Sequence, residues 1–288
     1  MKRFKFNFSF KKSRIPAVLV LLGCFTIIAA TADYSQLSVR TSGGTVTEKR
    51  TIVLDAGHGG MDSGAVGIHG ELEKNINLAI VKDLRDMLTL SGFNVVLTRD
   101  SDISIHDSGV TGTRNQKVSD MENRLDIVNA HKDCIFMSIH QNKFTQAEYF
   151  GAQIFYNENN PDNRLLAQIM QDNFKVIQPE NNRQIKLMDS ELYLFKNTMT
   201  PAVLIECGFL SNPDDAANLS DEAYQRKVAF MIYNGVVRYL QTVAANNAYN
   251  SGSTGESSST SENNGSITDS AAIQSGEIVT ESKTVTVS

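Results

Sequence analysis

The chain has 288 residues, 41% of them hydrophobic, which is enough for one sizeable core with extensions on either side. A formal net charge of -5 gives no basic face of the kind nucleic-acid binding uses, so no nucleic-acid partner is expected. The three cysteines, Cys24, Cys134 and Cys207, have no C-x-x-C spacing and no disulfide framework.

Residues 1–14, MKRFKFNFSFKKSR, are strongly basic, and residues 15–32, IPAVLVLLGCFTIIAATA, are apolar and uncharged. That pair predicts a signal peptide or an N-terminal membrane anchor, with the basic flank cytoplasmic and the rest of the chain exported. Cys24 follows LLG as a lipoprotein cysteine would, but the apolar FTIIAA after it argues against that. Residues 33–49 read as a linker and 50–242 as the folded domain. Residues 243–288 are a Ser/Thr/Asn/Gly-rich tail, which reads as disordered because it cannot bury enough apolar surface to offset its ordering entropy.

Within the domain, TIVLD (51–55) predicts a buried strand, and EKNINLAIVKDLRDMLTLSG (73–92) a helix with a stop glycine. FNVVLTR (93–99) is the next strand. Residues 100–118 are polar and resist assignment, which marks a functional or mobile loop. SDME (119–122) has the form of a capping box and predicts a helix to about Ala130. CIFMSIH (134–140), GAQIFYN (151–157) and AVLIECG (202–208) predict strands, with a helix from Pro161 to about Val176 between the last two. NPDD (212–215) opens a helix with an N-cap asparagine, and a final amphipathic helix runs from Asp221 to Val243. Strands alternating with helices imply a single α/β layered domain with a largely parallel central sheet flanked by helices.

In such sheets ligands bind beyond the carboxyl ends of the strands. The first strand leads to Asp55 and to His58, presented in the glycine run AGHGG; CIFMSIHQN leads to His140 and Asn142; AVLIECG leads to Glu206. At about 100° per residue Glu73 shares the face of Ile76, Ile80, Leu84 and Met87, whereas a carboxylate serving only the helix dipole need not face inward. Alternation puts Cys207 on the strand face opposite Glu206. Cys134 and Cys207 read as small hydrophobes, and His69, His106 and His131 as surface histidines. Two histidines and a carboxylate with a further carboxylate as base suit metal-assisted hydrolysis, although their long spacings match no compact motif and leave other readings open.

The stretches VLDAGHGGMDSGAVG, LEKNINLAI, FMSIHQN and VLIECGFLSNPDD resemble, in order, the four blocks of the zinc-dependent N-acetylmuramoyl-L-alanine amidases. The resemblance spans about residues 51–240 and implies Zn2+ held by His58, Glu73 and His140, with Glu206 as the catalytic base. SDISIHDSG, KVSDMENRLDIVNA, NNRQIK and LYLFKNTMTPAVLIECGFLSNP are similar to the sporulation amidases of endospore formers. That likeness implies a peptidoglycan substrate and a role in spore cortex maturation beside a partner deacetylase that forms muramic-δ-lactam. The sequence shows no wall-binding repeat, so substrate contact is expected from the catalytic domain, an N-terminal membrane anchor or an accessory partner. Ala56 stands where proline is frequent, and SIHQNK replaces SIHANA; neither change removes a ligand, the second is expected to reshape the substrate groove, and Asn142 is a candidate to bind substrate or support the site. Arg124, beside the stripe of Met121, Leu125 and Val128, either binds a substrate carboxylate or braces the site, with a structural ion pair preferred. Two other readings remain open at this point: a different peptidoglycan zinc hydrolase, such as a carboxypeptidase or deacetylase, and a catalytically silent wall-binding protein.

Overall fold

A computed structural model describes residues 50–188 and 192–253; the segments read as leader or anchor and linker, and the tail beyond Ser253, lie outside the described residues. Among the described residues no helix is long and apolar enough to cross a membrane.

In chain order the elements are β1 (Thr51–Ala56), α1 (Glu73–Leu90), β2 (Asn94–Leu97), α2 (Thr113–Asn129), β3 (Ile135–Asn142), β4 (Gln153–Tyr156), α3 (Asn163–Phe174), β5 (Lys186–Leu187), α4 (Tyr193–Lys196), β6 (Ala202–Phe209), α5 (Pro213–Ser220) and α6 (Glu222–Ser253). The strands form one sheet in the order β2-β1-β3-β6-β4-β5. β2, β1, β3 and β6 run parallel; β4 is antiparallel to β6, and β5 parallel to β4. The chain leaves β1 toward β2 and returns on its other side as β3, so the order reverses between β1 and β3, the crevice where sheets of this class bind ligands.

Alternation divides the strands between two cores. Ile52, Leu54, Ile135, Met137, Ile139, Val203, Ile205 and Cys207 bury one face against α1, α3 and α6. Each leucine or isoleucine sealed there contributes about 1.5–3 kcal/mol. Val53, Phe136 and Ala202 bury the other face against Leu125 and Val128 of α2 and Leu194 and Phe195 of α4. This second core is smaller. Toward the carboxyl ends of its strands the same face carries Asp55, Ser138, His140 and Glu206 in place of hydrocarbon, and there the layer opens into a cavity.

Two expectations from the sequence give way in the structure, and two short elements are added. The capping box does not start a helix: α2 begins at Thr113 after Gly112, and Ser119 lies inside it. The Ser119 hydroxyl instead accepts the Asp107 N–H at 3.0 Å, while Asp120 accepts the Ile105 N–H at 2.7 Å and Asn123 donates to the Ile105 carbonyl at 2.7 Å. These bonds fasten the stretch that resisted assignment onto the helix that follows it. The last helix passes Val243 and reaches Ser253, so 243–253 is helical and not disordered; each residue added to a formed helix gains a hydrogen bond without a new nucleation step. β5 and the single turn α4 have no sequence periodicity to announce them, because two and four residues are too few to show one.

Candidate metal centre

The glycine run after β1 is shaped around side chains that arrive from elsewhere. A Cβ on Gly57 would lie 2.2 Å from the His140 ring, and one on Gly64 would lie 2.5 Å from Glu73 Oε2 and 2.6 Å from His58 Cδ2. His58 itself has φ 64°, the one non-glycine residue with positive φ among the described residues. Strain of this kind persists where the surroundings over-determine the backbone. Here they do: Arg124 Nη2 donates to the His58 carbonyl at 2.7 Å and Nη1 to that of Ala56 at 2.9 Å. Arg99 holds the carbonyls of Ala56 at 2.8 Å and Gly57 at 3.0 Å.

His58, Glu73 and His140 each offer one ligand atom, and the three atoms lie within 4.8 Å of one another. Glu73 opens α1 but does not serve the helix dipole alone, since it is 3% exposed and its carboxylate faces both imidazoles. Its Oε2 is 3.2 Å from His58 Nε2, and its Oε1 is 2.9 Å from His140 Nδ1. Backbone N–H groups aim it: Ala65 donates to Oε2 at 2.7 Å and Gln141 to Oε1 at 3.1 Å. Burial alone would raise the Glu73 carboxyl, but His140 and His58 outweigh burial and hold it far below the carboxylate range. For His58 burial pulls downward, yet Glu73 and Asp62 raise it to about 9.

His58 Nδ1 is engaged by Asp62 Oδ2 at 2.8 Å, which leaves Nε2 for a ligand bond. Asp62 is fixed in turn by Lys117 Nζ of α2 at 2.9 Å. Carboxylate partners of this kind set the tautomer and orientation of metal-binding imidazoles. Glu206 sits on β6 directly beside His140 on β3. Its Oε2 is buried without a hydrogen-bond partner, and burial pushes the carboxyl up to about 7, with His140 opposing and Glu73 adding to the rise. Two imidazole nitrogens and a carboxylate oxygen form a donor set suited to zinc and unlike the all-oxygen shells of calcium or magnesium. An orphaned buried carboxylate alongside fits the same cation.

The cavity over this cluster has a volume of about 320 Å³ and is floored by Asp55, Ser138 and Arg124. Arg124, 1% exposed, pairs with Asp55 and with Asp120 at 2.6 Å. Its hydrogen bonds to the Ala56 and His58 carbonyls brace the His58 loop. Asn142 is not brought into the cavity; its side chain accepts the Lys143 N–H at 2.8 Å. Cys134 and Cys207 are fully buried, with burial raising both thiols. His69, His106 and His131 stay outside the cluster. Asp62, Lys117, Arg99 and Asn77 are the site residues that the sequence reading missed. Asn77 donates to the Gly57 carbonyl at 3.1 Å and to Glu73 Oε1 at 3.3 Å, and its polar presence four residues after Glu73 on a buried face was the available signal.

Burial would raise Asp55, but Arg124 foremost, with Ser138 and Thr98, brings it down to about 2. Its carboxyl therefore titrates lower in the folded protein than in the unfolded chain. The stability it contributes is complete above the unfolded value near 3.9 and is lost as pH falls through about 2. Arg124→Met strands this charge and is expected to cost about 3–5 kcal/mol at pH 7, read by urea unfolding of metal-free protein. The deficit should narrow as pH falls from about 4 toward 2, the window in which the wild-type protein loses the stability Asp55 contributes; an unchanged midpoint at pH 7 would show that the pair carries no stability.

A model of the N-acetylmuramoyl-L-alanine amidase family matches residues 52–238. The germination-specific N-acetylmuramoyl-L-alanine amidase of Bacillus subtilis (strain 168) is 38% identical over 192 residues, covering 66% of this chain and 80% of that protein. The CwlD amidase from Clostridioides difficile, solved in complex with the GerS lipoprotein, is 42% identical with a TM-score of 0.65, over 67% of this chain and 100% of that one. The catalytic domain of CwlV from Bacillus (Paenibacillus) polymyxa var. colistinus is 31% identical with a TM-score of 0.56, over 67% of this chain and 98% of that one.

Proposed function

The chain belongs to the N-acetylmuramoyl-L-alanine amidase family, peptidoglycan hydrolases, and from that premise we propose a zinc-dependent cleavage of the amide between the muramic acid lactyl group and L-alanine during spore cortex maturation. The observation that carries the zinc reading is the meeting of His58, Glu73 and His140 within 4.8 Å, beside the unpartnered Glu206. These three residues would hold the metal. When bound, zinc supplies Lewis acidity that polarises the amide carbonyl and makes water acidic enough to attack near neutral pH.

The remaining chemistry belongs to the chain. Glu206, whose burial keeps its proton affinity near neutrality, accepts a proton from the attacking water. It returns that proton to the alanine nitrogen as the C–N bond breaks, so that one carboxylate serves as base and then as acid. Asp62 and Arg124 hold the His58 ring and backbone, and neither exchanges a proton with substrate.

The cortex role is supported by the likeness to a germination-specific enzyme and to CwlD. In this reading the product is a muramic acid freed for a partner deacetylase and δ-lactam closure. The basic and apolar segments at 1–32 would export the domain or anchor it to the membrane, and 33–49 would link that segment to the catalytic domain at 50–242. The GerS lipoprotein bound to CwlD is the precedent for an accessory partner here. Mass spectrometry of spore peptidoglycan, before and after incubation with the zinc-loaded chain, tests the reaction. Free lactyl groups on muramic acid and released peptides beginning at L-alanine are expected. Peptides shortened from their carboxyl end, with the lactyl amide intact, would refute it.

A further inference from the structure

We propose that an open groove along α2, leading into the metal-site cavity, is the subsite for the peptide arm of the substrate, and that Arg114 there reads a carboxylate of that peptide. The inference rests on the amidase reading, which requires a substrate with a sugar on one side of the scissile bond and a peptide on the other.

The groove has a volume of about 630 Å³ and is lined by Thr113, Arg114, Lys117, Val118, Met121 and Tyr193. Lys117, Met121 and Tyr193 also line the cavity over the metal site, so a chain bound at the scissile bond can continue into the groove without leaving the protein surface. On α2 the four residues Arg114, Lys117, Val118 and Met121 are spaced three and four apart and share one face. Farther along the helix that face turns inward as Leu125 and Val128 and packs on the sheet. In its first turns the face is uncovered, with Val118 51% exposed, and Tyr193 of α4, across the groove, is 42% exposed.

Charge selects the occupant. The groove lining holds two cations and no acid. Lys117 is committed to Asp62, whereas Arg114 has no hydrogen-bond or ion-pair partner among the described residues. A glycan strand whose muramic carboxyl is tied up in the amide is uncharged and covered in hydroxyls. It gains little from an apolar wall ending in a guanidinium. A peptide gains from both, through its methyl and methylene groups against Val118, Met121 and Tyr193, and through a carboxylate matched to the planar fork of Arg114.

The test compares the zinc-loaded full-length chain with Arg114→Gln and Arg114→Glu. Three substrates are used: N-acetylmuramoyl-L-alaninamide, N-acetylmuramoyl-L-alanyl-D-glutamate, and the diamide of the latter. Arg114→Gln is expected to raise KM for the glutamate substrate roughly three- to fivefold, the scale of one exposed charge pair, while kcat and the other two substrates stay unchanged. Arg114→Glu should reverse the preference between the acid and its diamide. Equal effects on all three substrates, or none, overturn the proposal. Failure of the wild-type chain to cleave any of them would instead overturn the amidase reading. Binding then decides the groove separately: L-alanyl-D-glutamate added to Glu206→Gln should shift the methyl resonances of Val118 and Met121, and Arg114→Glu in the same background should abolish the shifts. Phe144 and Tyr149 form a separate exposed ring pair with centroids 5.3 Å apart, and shifts confined to their ring resonances would place the peptide elsewhere and end the proposal.

Discussion

Glu206→Gln will keep its zinc and lose most of its amide cleavage, by ~10²–10⁴-fold in kcat, the range for removal of a general base. The two side chains have the same shape, so the small core beneath Leu204 and Ala202 is left intact. Glutamine has no basic oxygen to take the proton from water and nothing acidic to return to the leaving nitrogen. The expectation comes from placement: Glu206 is on β6, across from His140, and is not one of the three residues whose ligand atoms converge. Zinc content and turnover must be measured on the same preparation. If Glu206→Gln comes out metal-free, the residue is a ligand and the assigned division of labour is wrong.

Glu73→Gln should fail in the opposite way, with metal and activity falling together. Glu73 accepts from both neighbouring backbone N–H groups and faces both imidazoles, so an amide there presents a nitrogen that can donate but cannot ligate. The loss of zinc affinity should exceed the ~10–100-fold typical of residues that merely orient a ligand. Asp62→Asn supplies that milder reference, because Asp62 meets the three ligand residues only at the far nitrogen of His58 and is otherwise held by Lys117. Competition against a fluorescent chelator gives the affinities of the unaltered chain and of both variants. A Glu73→Gln chain that binds zinc as well as Asp62→Asn does would remove Glu73 from the ligand set.

Much of the fold and of the centre was legible because it obeys short-range periodicity. Glu73 stood out for its place on an apolar helical stripe, and Glu206 for its position on the strand face opposite Cys207. The bracing residues were not legible. Arg99 and Lys117 reach the His58 loop from residues 42 and 55 positions away, and no local pattern encodes such contacts. Ser119 failed as a helix start for a related reason: its hydroxyl had a better partner in Asp107 than in its own helix. Asn142 was named as a polar residue at a strand end, where strict alternation would put it on the face of His140; a register shift falls between the two, and its side chain accepts the Lys143 N–H instead.

The fit between Gly57 and the His140 ring has a further meaning when regarded as a sequence of events. The loop after β1 can settle into its final path only against a ring carried by β3, 83 residues later in the chain, and His140 is positioned only once β3 has paired with β1. Contacts that span so much chain form after local helices, because their loop-closure entropy must be met first. The three ligands therefore meet only after β3 has paired with β1. Under the proposed function, uptake of zinc would act as a timestamp for the pairing of β3 with β1, and a chain short of that pairing would lack its three-ligand site.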